Sequence, residues 1–285
     1  MAPFSASAFG TLYVVATPIG NREDITFRAQ HILRTVDYIF AEDTRHSLPL
    51  LTMLGVNKPL KALHAHNENA QCEQVLSLLR AGKSCALISD AGTPLISDPG
   101  YPLVNLARQE QMNVVPVPGP SAVITALSAA GVPTDVFTFG GFLPAKTLAR
   151  RRKLADFLKL SHTLVFYEST HRIIECIEDI SVVFGASAEL VLAKELTKTF
   201  ERFVSGSCMD VLHWLHEDSA YQKGEFVLII PARAEVDKDE LRASQYLSVL
   251  LAELPLKQAV QLTSKLTGAH RNELYALALT LTGVK

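Results

Sequence analysis

The sequence predicts an α/β protein: two α/β domains in succession and then a small helical extension. Three observations carry this. Short β-rich runs alternate with helix-period patterns through the first half. The polar, glycine-containing clusters there fall directly after strand candidates. After Gly131 the alternation resumes with a different rhythm, and from about residue 234 onward only helical periodicity remains. The expected divisions are 1–118, 119–233 and 234–285.

The elements follow in order. Leu12–Val15 is a compact apolar run that ends in the turn cluster Thr17-Pro18-Ile19-Gly20-Asn21. Ile25, Ala29, Ile32 and Leu33 make the stripe of an amphipathic helix. Tyr38–Ala41 is the next strand, closing on Glu42-Asp43-Thr44-Arg45. Cys72, Val75, Leu76 and Leu79 mark a helix, and Cys85–Ile88 a strand that runs into Ser89-Asp90-Ala91-Gly92-Thr93-Pro94. Leu103, Leu106 and Ala107 mark another helix, and Val114–Val117 a strand entering Pro118-Gly119-Pro120-Ser121 before a small-residue helix. Strand, helix, strand in this order implies a parallel sheet, whose ligand crevice lies beyond the carboxyl ends of the strands.

In the second part, Val136–Phe139, Leu164–Tyr167, Leu190–Ala193 and Phe226–Ile230 read as strands. Lys146–Lys159 reads as a basic helix, with further helices near Arg172–Phe184 and Ser207–Glu217. A charged link over residues 234–240 leads to two short helical patterns broken at Thr267-Gly268-Ala269, which fit either a helix-turn-helix-like unit or a packing hairpin.

Composition narrows the function classes. Hydrophobic residues make up 48% of 285 and charged residues 20%, which excludes global disorder. The formal net charge of −2 excludes a basic coat, so any nucleic-acid site must be a local patch. The four cysteines are scattered with no CxxC pair, pointing to a reduced cytoplasmic setting and away from structural zinc. The first ten residues lack a signal-peptide pattern, and no apolar run is long enough for a transmembrane helix.

Two common nucleotide motifs are missing. The first loop has one glycine where a dinucleotide fold needs three, and there is no phosphate-loop lysine motif. The segment from Ser89 to Gly100 instead brings two carboxylates, two glycines and two prolines after a buried strand. Gly92 lets backbone approach a ligand, and Asp98 is a candidate cap for the helix near Tyr101. Ser121 is a candidate cap whose helix leaves N–H groups for a ligand, and Ser169 or Thr170 has the same standing after Tyr167-Glu168. His64, His66 and Glu68 form a histidine-rich loop without enough ligands at usable spacing for a metal, so none is expected. Lys146, Arg150, Arg151, Arg152 and Lys153 put five positive charges in eight residues, a candidate phosphate-binding face. Trp214 reads as a packing residue.

The ordered series Thr17-Pro18-Ile19-Gly20-Asn21, Glu42-Asp43-Thr44-Arg45, Ser89-Asp90-Ala91-Gly92-Thr93-Pro94, Pro118-Gly119-Pro120-Ser121, Gly141-Phe142-Leu143-Pro144 and Tyr167-Glu168-Ser169 resembles the tetrapyrrole methylase superfamily over about residues 11–232. Within it the chain most resembles the bacterial branch that methylates a cytidine ribose 2′-oxygen in small-subunit ribosomal RNA. The helical tail is also similar to that branch. The resemblance implies a parallel-sheet first domain, a mixed-sheet second domain, and S-adenosylmethionine bound between them. It implies a homodimer acting on RNA of the decoding region. By position, Pro18, Asp90, Ala91, Gly92, Thr93, Ile96, Ser121, Ala122, Phe142, Tyr167 and Glu168 would contact the cofactor, with Lys194, Glu195 and Gly224 as further candidates.

Ribose methylation needs a proton acceptor near the attacking hydroxyl. Glu42 and Asp43 are the expected acceptors. Asn21, Arg22, Arg45, Lys146, Arg150, Arg151 and Arg152 are the expected substrate contacts, and Glu23 and Asp24 compete for the same roles. The rival functions are a tetrapyrrole or precorrin methyltransferase, a methyltransferase acting on a translation factor, and an RNA-binding assembly module without turnover.

Overall fold

The computed structural model describes residues 9–64, 67–232 and 238–282. His66 and most of the charged link thus lie outside the described residues. The chain divides into two compact units, 1–231 and 232–285.

The first unit holds two sheets. Sheet one is all parallel, with strand order β3-β2-β4-β1-β5. Its strands are β1 (Thr11–Val15), β2 (Tyr38–Ala41), β3 (Leu60–Ala62), β4 (Cys85–Ile88) and β5 (Asn113–Val117). β4 is buried at every position, as a strand covered on both faces must be. Helices α1 (Phe27–Thr35), α2 (Thr44–Met53), α3 (Glu68–Arg80) and α4 (Tyr101–Gln109) connect these strands. Leu12, Phe40, Leu76, Leu87 and Leu103 form one of its cores, and Val15, Leu33, Ile39, Leu51 and Ile88 another.

Sheet two is mixed, with order β6-β7-β10-β8-β9. β6 (Phe137–Phe142) runs parallel to β7 (Thr163–Ser169). β10 (Glu225–Ile230) is antiparallel to both β7 and β8 (Glu189–Lys194), and β8 is antiparallel to β9 (Arg202–Ser207). Helices α6 (Thr147–Phe157), α7 (Ile173–Phe184) and α8 (Cys208–Glu217) cover a core of Leu154, Phe166, Ile177, Leu192, Leu215 and Leu228. Trp214 packs at its margin, stacked on Tyr221 with ring centroids 4.3 Å apart. Helix α5 (Ala122–Ala129) joins the two sheets. Its Val123, Ala126 and Leu127 pack with Ile19 of the first loop and with Val165, Val191, Leu196 and Val227 of sheet two.

Some sequence expectations change here. Helix α2 and strands β3 and β9 were absent from the pattern reading. α2 begins beside a strand, contains Pro49 and buries only Ser47 and Leu51, so its apolar stripe is thin. Ile25 precedes α1; the helix starts after Thr26, whose hydroxyl accepts the Ala29 N–H. Arg150 is not a surface charge. It is fully buried, its Nε donating to Asp179 at 2.6 Å, because the α6 face it occupies packs on α7. Arg151 reaches the same carboxylate at 2.5 Å but is 42% exposed. Lys146, Arg152 and Lys153 remain exposed.

All four cysteines are buried and free. Burial raises each thiol, Cys208 to about 11 and Cys85 to about 12.

The second unit contains α9 (Lys238–Glu253), α10 (Leu256–Thr267) and α11 (Arg271–Thr282) around Leu247, Ala259, Val260, Leu274 and Ala278. Gly268 ends α10 in the left-handed conformation (φ 76°), which is the helix stop the sequence suggested.

Candidate functional site: adjoining cavities at the strand ends

The loops beyond the carboxyl ends of β1, β4 and β5 are laced together. Thr17 and Gly92 exchange backbone hydrogen bonds of 2.8 and 3.1 Å, and the Thr17 hydroxyl donates to the Ser89 carbonyl at 3.1 Å. Thr93 Oγ1 donates to the Pro120 carbonyl at 3.0 Å. Glu68 accepts the Gly100 N–H at 2.7 Å and so anchors the far end of the β4 loop. Within that loop Leu95 and Ser97 hold positive φ (73° and 72°), a conformation disfavoured for residues with a Cβ. Such strain is held only where the surroundings over-determine the backbone.

Sheet two adds a matching loop. Between β8 and β9, Glu195 and Thr197 also have positive φ (50° and 64°). Thr197 Oγ1 accepts the Asn21 N–H at 2.9 Å, and Lys198 Nζ reaches Glu195 and Glu225, each at 2.9 Å. A Cβ on Gly20 would lie 2.5 Å from Lys198 Cγ, 2.7 Å from Thr197 Oγ1 and 2.9 Å from the Leu196 carbonyl. Glycine is therefore what lets the first loop seat against this second one.

These loops surround a cavity of about 490 Å³. Every expected cofactor contact except Pro18 lines it: Asp90, Ala91, Gly92, Thr93, Ile96, Ser121, Ala122, Phe142, Tyr167 and Glu168. Gly224 lines it as well, whereas Lys194 and Glu195 do not. A register shift in β6 after Phe139 precedes Phe142, which packs edge-on against Tyr167 with centroids 5.6 Å apart. Burial pushes the Tyr167 hydroxyl up to about 12, against the pull of the Val123 N–H at the start of α5. Glu168 is buried. Its Oε1 accepts the Ser169 N–H at 2.8 Å, while Oε2 lies 3.2 Å from Arg172 without a hydrogen bond.

Three capping expectations are corrected. Ser121 sits at the N-cap of α5 but makes no side-chain cap bond. Gly100 rather than Asp98 is the N-cap of α4. Thr170 and Ser169 do not cap α7; Thr170 Oγ1 instead bonds both the N–H and the carbonyl of Gly224, each at 2.8 Å, because the β10 strand begins beside it.

Asp98, free of that capping role, lines the first cavity. Burial raises its carboxyl to about 6; the Ser89 hydroxyl opposes this and the neighbouring Asp90 charge adds to it. Ile19, Ser97, His171, Leu196, Glu225, Phe226 and Val227 also line it, residues to which the sequence assigned no ligand contact, and Asp98 was expected only as a cap. The apolar ones carry no signal apart from their strands. The DPG turn was visible, but not the direction in which Asp98 points.

A second, open cavity of about 730 Å³ adjoins the first, and Ile19, Asp90, Ala91 and Glu225 line both. Arg22 from the first loop, Arg45 from the start of α2 and Lys198 from the 195–201 loop bring positive charge to it, and Pro18, Gly20, Asp43, His46, Pro49 and Leu50 complete its lining. Asp43 caps α2 by accepting the Arg45 N–H at 2.8 Å and pairs with the Arg45 guanidinium at 2.7 Å. The Arg45 hydrogen bonds hold its carboxyl well below the usual carboxylate range. Asp43 is thus already engaged. Glu42 lines neither cavity; burial, with Asp98 and Asp90 nearby, raises its carboxyl. Asn21 spends its side chain on the Glu23 N–H at 3.0 Å. Among the described residues no cluster of three or more His, Cys, Asp or Glu could hold a metal.

Comparison with known proteins points to one family. Residues 11–211 match the family described as Tetrapyrrole (Corrin/Porphyrin) Methylases, and residues 237–282 match the RsmI C-terminal HTH domain. The chain is 50% identical over 275 residues to the ribosomal RNA small subunit methyltransferase I of Escherichia coli O157:H7, covering 96% of each chain. It is 49% identical over 267 residues to that of Xylella fastidiosa strain Temecula1, covering 93% of this chain and 98% of the relative. In fold it is similar to a cobalt precorrin-4 methyltransferase (TM-score 0.59, 18% identity, 80% of this chain and 98% of the other). It is likewise similar to the uroporphyrin-III-C-methyltransferase of Thermus thermophilus (TM-score 0.54, 19% identity, 78% and 94%). A tetrapyrrole-methylase fold with this tail, matched end to end at about half identity, places the chain in the ribosomal RNA small subunit methyltransferase I family.

Proposed function

We propose that the chain transfers a methyl group from S-adenosylmethionine to the 2′-oxygen of a cytidine ribose in small-subunit ribosomal RNA, in the decoding region. The observation that supports this best is the shared wall at Asp90 and Ala91 between a cavity that holds Asp98 and Glu168 and a second one that holds Arg22, Arg45 and Lys198. Such a pair of cavities suits a cationic donor on one side and a phosphate-bearing acceptor on the other.

The residues of the first cavity fit the cofactor. Asp90 and Asp98 offer negative charge to a sulfonium, and Leu196, Phe226 and Val227 offer apolar contact. Gly92, at φ 81°, leaves a cradle whose Cβ position would lie 3.3 Å from Ile19 Cγ2. Glu168 lines the cavity as a buried carboxylate paired with Arg172. When bound, the cofactor supplies an electrophilic methyl group. The protein's part is to hold the acceptor hydroxyl in line at near-attack distance and to draw off its proton. Arg22, Arg45 and Lys198 would hold the flanking phosphates, with Lys146, Arg152 and Lys153 extending the contact along α6. The same reading takes the protein as a cytoplasmic homodimer, which sedimentation of the purified chain tests.

The deciding assay incubates labelled cofactor with small ribosomal subunits lacking the modification, with free RNA and with a porphyrin precursor. Label in the subunit RNA, mapped to one ribose by cleavage sensitive to 2′-O-methylation, supports the proposal. Label in the porphyrin alone refutes it, and cofactor binding without transfer to any of the three supports a non-catalytic role.

A further inference from the structure

We propose that His46 accepts the proton released from the attacking hydroxyl, and that Asp90 positions its imidazole. The inference rests on the reading above and deepens it.

His46 lies in the first turn of α2 and lines the open cavity. Its Nδ1 is 3.9 Å from Asp90 Oδ2, while Asp90 Oδ1 accepts the Asp43 N–H at 3.0 Å, which fixes the carboxylate. Asp90 faces both cavities. The imidazole therefore stands on the acceptor side of a carboxylate that also borders the donor side.

The other bases lining the open cavity are engaged. Asp43 is held by Arg45 and by its own helix, and Glu225 is paired with Lys198. Glu42 and Asp98 do not line this cavity. An imidazole is also the side chain whose basicity lies nearest neutrality, where proton transfer from a hydroxyl is best matched. At 3.9 Å Asp90 is beyond hydrogen-bond reach of Nδ1; a bond closed there in the complex favours the tautomer protonated at Nδ1, leaving Nε2 as the basic nitrogen.

In the step itself, the hydroxyl oxygen forms its bond to the methyl carbon as the carbon–sulfur bond breaks, with the electron pair staying on sulfur. The hydroxyl proton passes to His46 Nε2, and the imidazolium returns it to water. Asp90 offsets the positive charge that develops on the ring. The charged groups around that ring are Asp43 and Arg45 at the start of its own helix, Asp90 from the β4 loop, Arg22 from the first loop, and Lys198 and Glu225 from sheet two.

The test uses full-length protein, unmethylated small subunits and labelled S-adenosylmethionine. His46→Gln should lower the single-turnover rate by on the order of 10²–10⁴-fold, with cofactor affinity by calorimetry within twofold of wild type. Added imidazole should restore part of the rate. A second readout needs no turnover: in ¹⁵N-histidine spectra of the cofactor-free protein, the neutral His46 ring should favour the Nδ1-protonated tautomer, and Asp90→Asn should lower that tautomer's share. A His46→Gln rate within threefold of wild type overturns the assignment, and so does a tautomer balance unmoved by Asp90→Asn. If the wild-type protein fails to methylate the subunit, it is the substrate reading that falls, and the tautomer balance still decides whether Asp90 and His46 act as a pair.

Discussion

Replacing Arg150 by alanine tests whether the basic helix is a nucleic-acid face throughout. In the fold this guanidinium is fully buried, 2.6 Å from Asp179 and within 3.2 Å of the Ala145 carbonyl. Removing one partner of a buried pair costs about 3–5 kcal/mol, because the other charge stays behind without compensation. Arg151 keeps a 2.5 Å contact with the same carboxylate, which places the loss at the lower end, about 3 kcal/mol. At about 2–4 °C per kcal/mol for a chain of this size, the thermal midpoint should fall by roughly 6–12 °C. Calorimetry or urea unfolding reads this directly, with the exposed Arg152→Ala as control, expected within about 0.5 kcal/mol of wild type. The double variant Arg150→Met with Asp179→Leu should recover most of the loss, since an apolar pair carries no desolvation penalty. An Arg150→Ala protein that keeps its midpoint while losing RNA affinity would refute the burial argument.

Other outcomes follow from the same geometry. Asp98 has its folded-state carboxyl raised to about 6, above the ordinary value of about 3.9. Its contribution to stability is therefore present at low pH and lost as pH rises through 6. Asp98→Asn should stabilise the cofactor-free protein at pH 8 and have little effect below pH 4, by thermal midpoints across that range. Gly20→Ala should push the first loop off the 195–201 loop, costing about 1–3 kcal/mol, and weaken subunit binding more than cofactor binding in parallel titrations. Charge reversal at Lys146 and Arg152 should reduce RNA affinity and flatten its salt dependence, with cofactor affinity unchanged.

The parts legible in the sequence were those with a local signature. The buried runs of β1, β2, β4 and β5 are short, apolar and punctuated by proline and glycine, so strand and loop separate cleanly. Part of the first cavity's lining, Asp90 through Thr93 and Ser121, follows those strands directly, and the family resemblance supplied the cofactor contacts by number, whereas Ser97, Leu196 and Phe226 were not among them. What escaped has non-local causes. α2 carries too few buried residues to show a stripe, and β9 is a half-buried edge strand. Arg150 has the same side chain as its exposed neighbours, and only the docking of α7 on α6 distinguishes it. His46 directly follows a motif that was read, yet its proximity to Asp90 depends on the adjacency of β2 and β4 in the sheet.

The burial of all four thiols has a practical reach. With native sulfhydryls shielded and pushed toward weak acidity, one new cysteine on the surface would be the preferred target for a maleimide dye. Exposed Phe142 at the rim of the first cavity and exposed Arg45 at the rim of the second are natural attachment points. Fluorescence from such conjugates could time the arrival of each ligand separately, without stripping the interior of its sulfur.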